Sequence, residues 1–177
     1  MEIRICNPIH LNKDRLDQII ELIIQGGQIK RDKAEIKDII LFADLVAIKE
    51  HNGLVLSTAT LKNQSPVYRD NVFKSAGSKS SDRYLKELGF IVTHPDFENQ
   101  GHCQQLLEKF FILIQMNSIY ATTRKPAMSH MLRKLGFRES GTIYNQDLRL
   151  FIFDSSGEAP ASNIQRQGSW QMSMDEL

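Results

Sequence analysis

The stretch "VTHPDFENQGHCQQLL", residues 92–107, decides how this chain is read. It starts as strand-type sequence and, past Gly101, turns into an amphipathic helix with Leu106, Leu107, Phe110, Phe111 and Ile114 as its buried stripe. Such a handover leaves several backbone N–H groups without an intrahelical partner. Those donors and the positive end of the helix dipole suit a pyrophosphate, and Gly101 has no Cβ to keep a ligand away. Taken alone, the loop reads first as an ordinary β-to-α turn needing one glycine. His94, His102 and Cys103 raise a metal reading. Zinc sites use four ligands at tighter, paired spacing, and no fourth is evident here, so no metal is expected. Cys103 has no evident His/Asp partner and reads as a packing residue.

Upstream, "KELGFIVTH" (86–94) reads as a strand with Leu88, Phe90 and Val92 on one face and Glu87, Gly89 and Ile91 on the other. Before it, "LVAIKEHNGLVLSTATL" (45–61) holds two β-rich runs around Asn52-Gly53, a type I′ hairpin signal. The polar connection 62–85 carries one short helix near Val72–Phe73. At the N-terminus "EIRICNP" (2–8) suits a short strand. Asn12 caps a helix with Leu16, Ile19, Ile20 and Ile23 in helical phase, stopped by Gly26-Gly27. A shorter helix carries Ile36, Ile39 and Ile40.

Downstream, "SIYATTR" (118–124) is a strand, and "PAMSHMLRKLG" (126–136) is a helix opened by proline and closed by glycine. Phe137–Tyr144 and Leu148–Phe153 form a final hairpin. The order is β-α-α-β-β-β-α-β-α-β-β, an α/β (mixed α+β) domain with helices on the faces of a mixed sheet. Residues 1–154 form that domain. From Ser155 the chain is poor in aliphatics and aperiodic, so 155–177 is expected to be a weakly ordered or docked tail.

With 22 Lys+Arg against 21 Asp+Glu in 177 residues, no sequence-wide charge argues for nucleic acid or an anionic membrane. No apolar run reaches membrane-span length, and no signal-peptide core stands at the start. Cys6 and Cys103 lie far apart without a CxxC, so a cytoplasmic location is the expectation.

Two motifs then carry a resemblance. "VTHPDFENQGHCQQLL" is similar to the V-x-P-x-[YF]-[RQ]-x-x-G-x-[GA]-x-x-L-[LM] of the GNAT-type N-acetyltransferases, and "KPAMSHMLRKLGFRESG" to their N-x-x-[AM]-x-x-L-Y-x-K-L-G-F. The likeness covers roughly residues 2–153. It implies a GNAT-like, mostly antiparallel central sheet flanked by helices, with acetyl-CoA as co-substrate and no metal. The acceptor would be a small-molecule amine or a protein amine, and a homodimer stays open.

By position, the resemblance implies that the amides of Gln100, Gly101, His102, Cys103 and Gln104 hold the CoA pyrophosphate, with His94 beside that cradle. The amide of Ile91 or Val92 would hold the thioester carbonyl, and Glu87 would take the amine's proton. Four residues depart from the pattern. Glu98 brings a negative charge near the phosphates unless it faces solvent or pairs with a base such as Arg124. Cys103 replaces a Gly or Ala. Lys125 replaces a cofactor-contacting Asn and could meet a phosphate instead. Leu132 stands where many members have the tyrosine that protonates the leaving thiolate, which leaves Tyr120 and Tyr144 as substitute acids. The departures keep a second reading open: a catalytically degenerate CoA-binding or regulatory module.

Overall fold

Each of the first three helices begins on a side chain that caps it. Asn12 accepts from the Arg15 amide at the start of α1 (Lys13–Gln25). Asp32 and Glu35 form a reciprocal capping box on α2 (Lys33–Leu41), and Ser65 accepts from the Tyr68 amide on α3 (Pro66–Ser75). A lost cap of this kind costs about 1 kcal/mol. The structure, a computed structural model, describes residues 1–27, 30–79 and 81–155. The tail expected from Ser155 onward therefore lies outside them, save Ser155 itself.

Helix α3 corrects the expected order. The short helix expected near Val72–Phe73 in the 62–85 connection is longer than expected and counts as a full element. Ser65 and Pro66 open a ten-residue helix that buries Val72 and Phe73, giving β-α-α-β-β-α-β-α-β-α-β-β. The apolar signal was thin because α3 presents a narrow face to the core.

The strands β1 (Glu2–Cys6), β2 (Leu45–His51), β3 (Leu54–Asn63), β4 (Lys86–Thr93), β5 (Ile119–Thr123), β6 (Arg138–Tyr144) and β7 (Leu148–Phe153) form one sheet in the order β1-β2-β3-β4-β5-β7-β6. All neighbours are antiparallel except β4 and β5. The β2–β3 turn has Asn52 and Gly53 at φ 49° and 82°, the positive pair a type I′ turn requires.

Helices α1 and α2 bury Leu16, Ile19, Ile23, Ile36 and Ile40 against Val46, Ile48, Val55 and Phe90 on one face. Helix α3 covers the same face further along, where Phe73 packs on Tyr84 and Tyr120. On the other face, α4 (His102–Ile114) and α5 (Pro126–Lys134) bury Leu106, Leu107, Phe110, Ile114 and Leu132 against Ala47, Ala59, Leu61, Leu88, Ala121 and Phe151.

Candidate active site

The parallel pair is joined over two positions only, Lys86 opposite Ile119 and Glu87 opposite Tyr120. Beyond them β4 and β5 part, and a wedge opens through the middle of the sheet. It is the throat of a cavity of about 410 Å³, within the range of small-ligand sites. Its walls include Glu87 to Val92 of β4, Ala121 to Lys125 at the end of β5, Leu132 of α5, and Lys62, Gln64 and Tyr68 from the end of β3 and α3.

The β4 wall is irregular. Thr60 pairs with Gly89 and Thr58 with Val92, so Phe90 and Ile91 together face the single residue Ala59. This is a β-bulge. Phe90 takes φ 49°, a left-handed conformation that is an outlier for a bulky side chain. The strict alternation expected for this strand fails here. Leu88 and Ile91 join the α4–α5 core, whereas Phe90 and Val92 join the α1–α2 core. The inserted residue turns the following side chains to the opposite face. Such strain persists only where surrounding structure holds it, and it clusters at functional sites.

Glu87 is not the surface glutamate that a strand start usually carries. It is 3% exposed, its carboxylate 2.9 Å from the Lys62 ammonium and 2.5 Å from the Gln64 amide nitrogen. Lys62 is buried as well and lies 4.6 Å from the centre of the Phe90 ring, a cation–π contact. A Cβ on Gly89 would fall 2.6 Å from the Lys62 Nζ, so only glycine lets the ammonium pass over β4.

Tyr68, on a helix absent from the expected order, is the one tyrosine on the cavity wall among the described residues. Burial first, then the Glu87 charge, pushes its phenol up to about 12, opposed by Arg31, whose guanidinium lies 6.0 Å over the ring. Tyr120 and Tyr144, the substitute acids the motif left, are not placed on the cavity. Both hydroxyls are buried without a hydrogen-bond partner among the described residues, off the cavity wall. Burial is the main cause that raises both phenols.

Helix α4 starts beside the wedge. Its cap, Gly101, has φ 77° and supplies no side-chain acceptor, and no acid lies in the first turn. A Cβ on Gly101 would meet nothing nearer than the Gln105 amide at 3.8 Å, so the space beside Gly101 is open. Gln100, Gly101, His102, Cys103 and Gln104 do not line the cavity itself. The link runs through Cys103. Burial pushes its thiol up to about 11, against its hydrogen bond with Thr93 and the nearby Lys125 charge. His102 points inward, both ring nitrogens without a partner among the described residues, and burial lowers its pKa. The His94 ring accepts from the Asp96 amide at 3.3 Å. Among the described residues no cluster of three or more His, Cys, Asp or Glu could hold a metal.

The departures from the motif also take places. Glu98 is exposed, and Arg124 is bound to Asp147 at 2.7 Å. Lys125 caps α5 without a side-chain hydrogen bond and stands on the cavity wall. Leu132 is fully buried in the same wall. The wall thus carries Lys30, Arg31, Lys62, Arg124 and Lys125 against Glu35 and Glu87, an excess of cations that favours an anionic ligand.

The chain has the fold of the GNAT-family acyl-CoA N-acetyltransferases. An acyl-CoA N-acyltransferase from Pseudomonas aeruginosa matches it with a TM-score of 0.65 at 13% identity, over 86% of this chain and 99% of that one. ElaA from Escherichia coli matches at 0.66 and 13%, over 86% and 99%. The ribosomal-protein-S18-alanine N-acetyltransferase from Escherichia coli matches at 0.62 and 13%, over 93% and 100%. No protein-family model and no curated protein sequence matches the chain. No helix of the described residues is long and apolar enough to cross a membrane.

Proposed function

We propose that this protein is an N-acyltransferase that moves an acetyl group from acetyl-CoA to a primary amine by direct attack of the amine on the thioester. The observation that carries the reading is the wedge between β4 and β5, bounded by the strained bulge at Phe90–Ile91 and overlooked by the uncapped start of α4. The residues present fit a CoA. Open space over Gly101, a first turn without acids, and Lys125 nearby suit its pyrophosphate. Glu98 faces solvent, where its repulsion is screened.

Acetyl-CoA would supply the activated acyl group, and the chain does the rest. The bulge holds the thioester carbonyl through the amide of Ile91 or Val92, a donor aimed where charge develops. Glu87 takes the proton of the incoming ammonium, directly or through a water. The donor to the leaving thiolate is better filled by Tyr68 than by Tyr120 or Tyr144, because Tyr68 alone of the three lines the cavity. Its raised phenol stays protonated at neutral pH, as a donor must.

Leu132 favours a second reading, a CoA-binding module without turnover, since it puts a buried aliphatic side chain where the family's acid stands. Native mass spectrometry with acetyl-CoA, followed by free-thiol release across a panel of amines, separates the two. Binding with amine-dependent release supports the transferase. Binding with no release for any amine supports the module, and absence of binding overturns both.

A further inference from the structure

The wedge already contains an amine. Lys62 and Glu87 are among the few charged side chains fully inside the protein, at 7% and 4% side-chain exposure. Both lie on the cavity wall. A buried ion pair is weak support for stability, because desolvation offsets most of the attraction. Its placement points elsewhere. In the β3–β4 ladder Lys62 stands opposite Glu87, on the sheet face covered by α1, α2 and α3. Leu61 and Leu88 beside them face α4 and α5. The ammonium is therefore presented from the side where an acceptor amine must enter if a CoA lies along α4. It passes over Gly89, one residue before the bulge, and a strand advances only about 3.3 Å per residue.

We propose that Lys62 is a self-acylation site: with acetyl-CoA bound, the chain acetylates its own Lys62. This rests on the CoA reading above. Lys62 gives one proton to the Glu87 carboxylate, and the freed lone pair forms a bond from Nζ to the thioester carbonyl carbon. As the C–S bond breaks, the sulfur leaves with the electron pair and takes the second nitrogen-bound proton. The products are Nε-acetyl-Lys62, CoA thiol and a protonated Glu87. No other reactant is needed. The acetylated side chain has lost its charge, so once Glu87 passes its proton to solvent its carboxylate is free to meet the ammonium of an external acceptor.

The test uses the full chain, acetyl-CoA and no added amine. Binding is followed by native mass spectrometry, and acetylation at each lysine by peptide mass spectrometry over time. Three comparisons are internal. Lys49 is as buried as Lys62 but off the cavity, Lys125 is exposed on the cavity wall, and Lys13, Lys33 and Lys109 are exposed elsewhere. Lys62 is expected to be acetylated first, although solvent access alone favours the exposed lysines, and denaturing the protein should abolish that preference. Glu87→Gln should slow the reaction by roughly tenfold or more, as loss of a general base does. Binding of acetyl-CoA with Lys62 no faster than Lys13, Lys33 and Lys109, or with Lys125 taking the acetyl instead, overturns self-acylation and leaves the CoA reading standing. Failure to bind acetyl-CoA overturns the CoA reading, and self-acylation with it.

Discussion

At Gly89 the missing side chain is what lets Lys62 reach Glu87. A Cβ there would lie 2.5 Å from the Lys62 Cε, the far end of a flexible side chain that can swing away. Gly89→Ala is therefore expected to keep the fold while displacing the ammonium from the carboxylate. Thermal melting should move by a few degrees at most, as for a change of about 1 kcal/mol, while acetylation of Lys62 falls and amine-dependent thiol release, which needs Glu87 free of Lys62, does not fall with it. A variant that melts normally with acetylation of Lys62 intact would remove the Lys62–Glu87 contact from the chemistry. Gly141 is the opposite case. It has φ 74°, and a Cβ would fall 2.0 Å from the backbone oxygen of Ala76, which cannot swing away. Gly141→Ala should cost about 3 kcal/mol, in the upper range for single substitutions, measured by urea unfolding.

Among the elements, α4 and α5 both start without a side-chain cap, and α4 does so on a glycine in the left-handed conformation. Helices α1, α2 and α3 satisfy their first amides with Asn12, Asp32 and Ser65, whereas α4 has only Gly101. Gly101→Asp places a carboxylate at the positive helix end, which favours the helix by 0.3–1 kcal/mol or so, offset by the left-handed φ that Asp tolerates better than most residues. Stability should change little, whereas acetyl-CoA affinity should fall by roughly tenfold or more through repulsion of the pyrophosphate. Isothermal titration with acetyl-CoA reads this directly, and unchanged affinity would place the phosphates elsewhere. This helix start was legible in the sequence because one glycine ahead of a strong apolar stripe signals both turn and helix. The capped starts of α1 and the proline start of α5 were legible for the same local reason. Helix α3 was legible only as a short helix near Val72–Phe73, since its buried residues are only Arg69, Val72 and Phe73, and Tyr68 went unread. The bulge was invisible too. "KELGFIVT" alternates well enough to be a plain strand, and only pairing with β3 shows that Ala59 faces two residues.

Across the whole molecule, the cavity depends on β5, β6 and β7 being held at a fixed angle to the β1–β4 half, since β4 and β5 share only two paired positions. Asp154, just past β7, is one fastener. It accepts from the Tyr84 hydroxyl at 2.6 Å, ahead of β4, and from Arg138 at 3.0 Å, at the start of β6, with Arg83 3.3 Å away. Burial alone would raise its carboxyl. The hydrogen bonds from Tyr84 and Arg138, with the two arginine charges, outweigh burial and hold it below the usual carboxylate value. Because the folded value is the lower one, the stabilisation is complete above the unfolded value of about 3.9 and is lost as pH falls through the folded value. Asp154→Asn should therefore lower stability at neutral pH by about 1 kcal/mol, and the gap to the unaltered protein should close as both are acidified. Urea unfolding at pH 7 and in the acid range measures it. A gap of constant size would mean that Asp154 acts through shape alone, while a closing gap without change in acetyl-CoA affinity would show that the other β5–β7 contacts hold the wedge open without it.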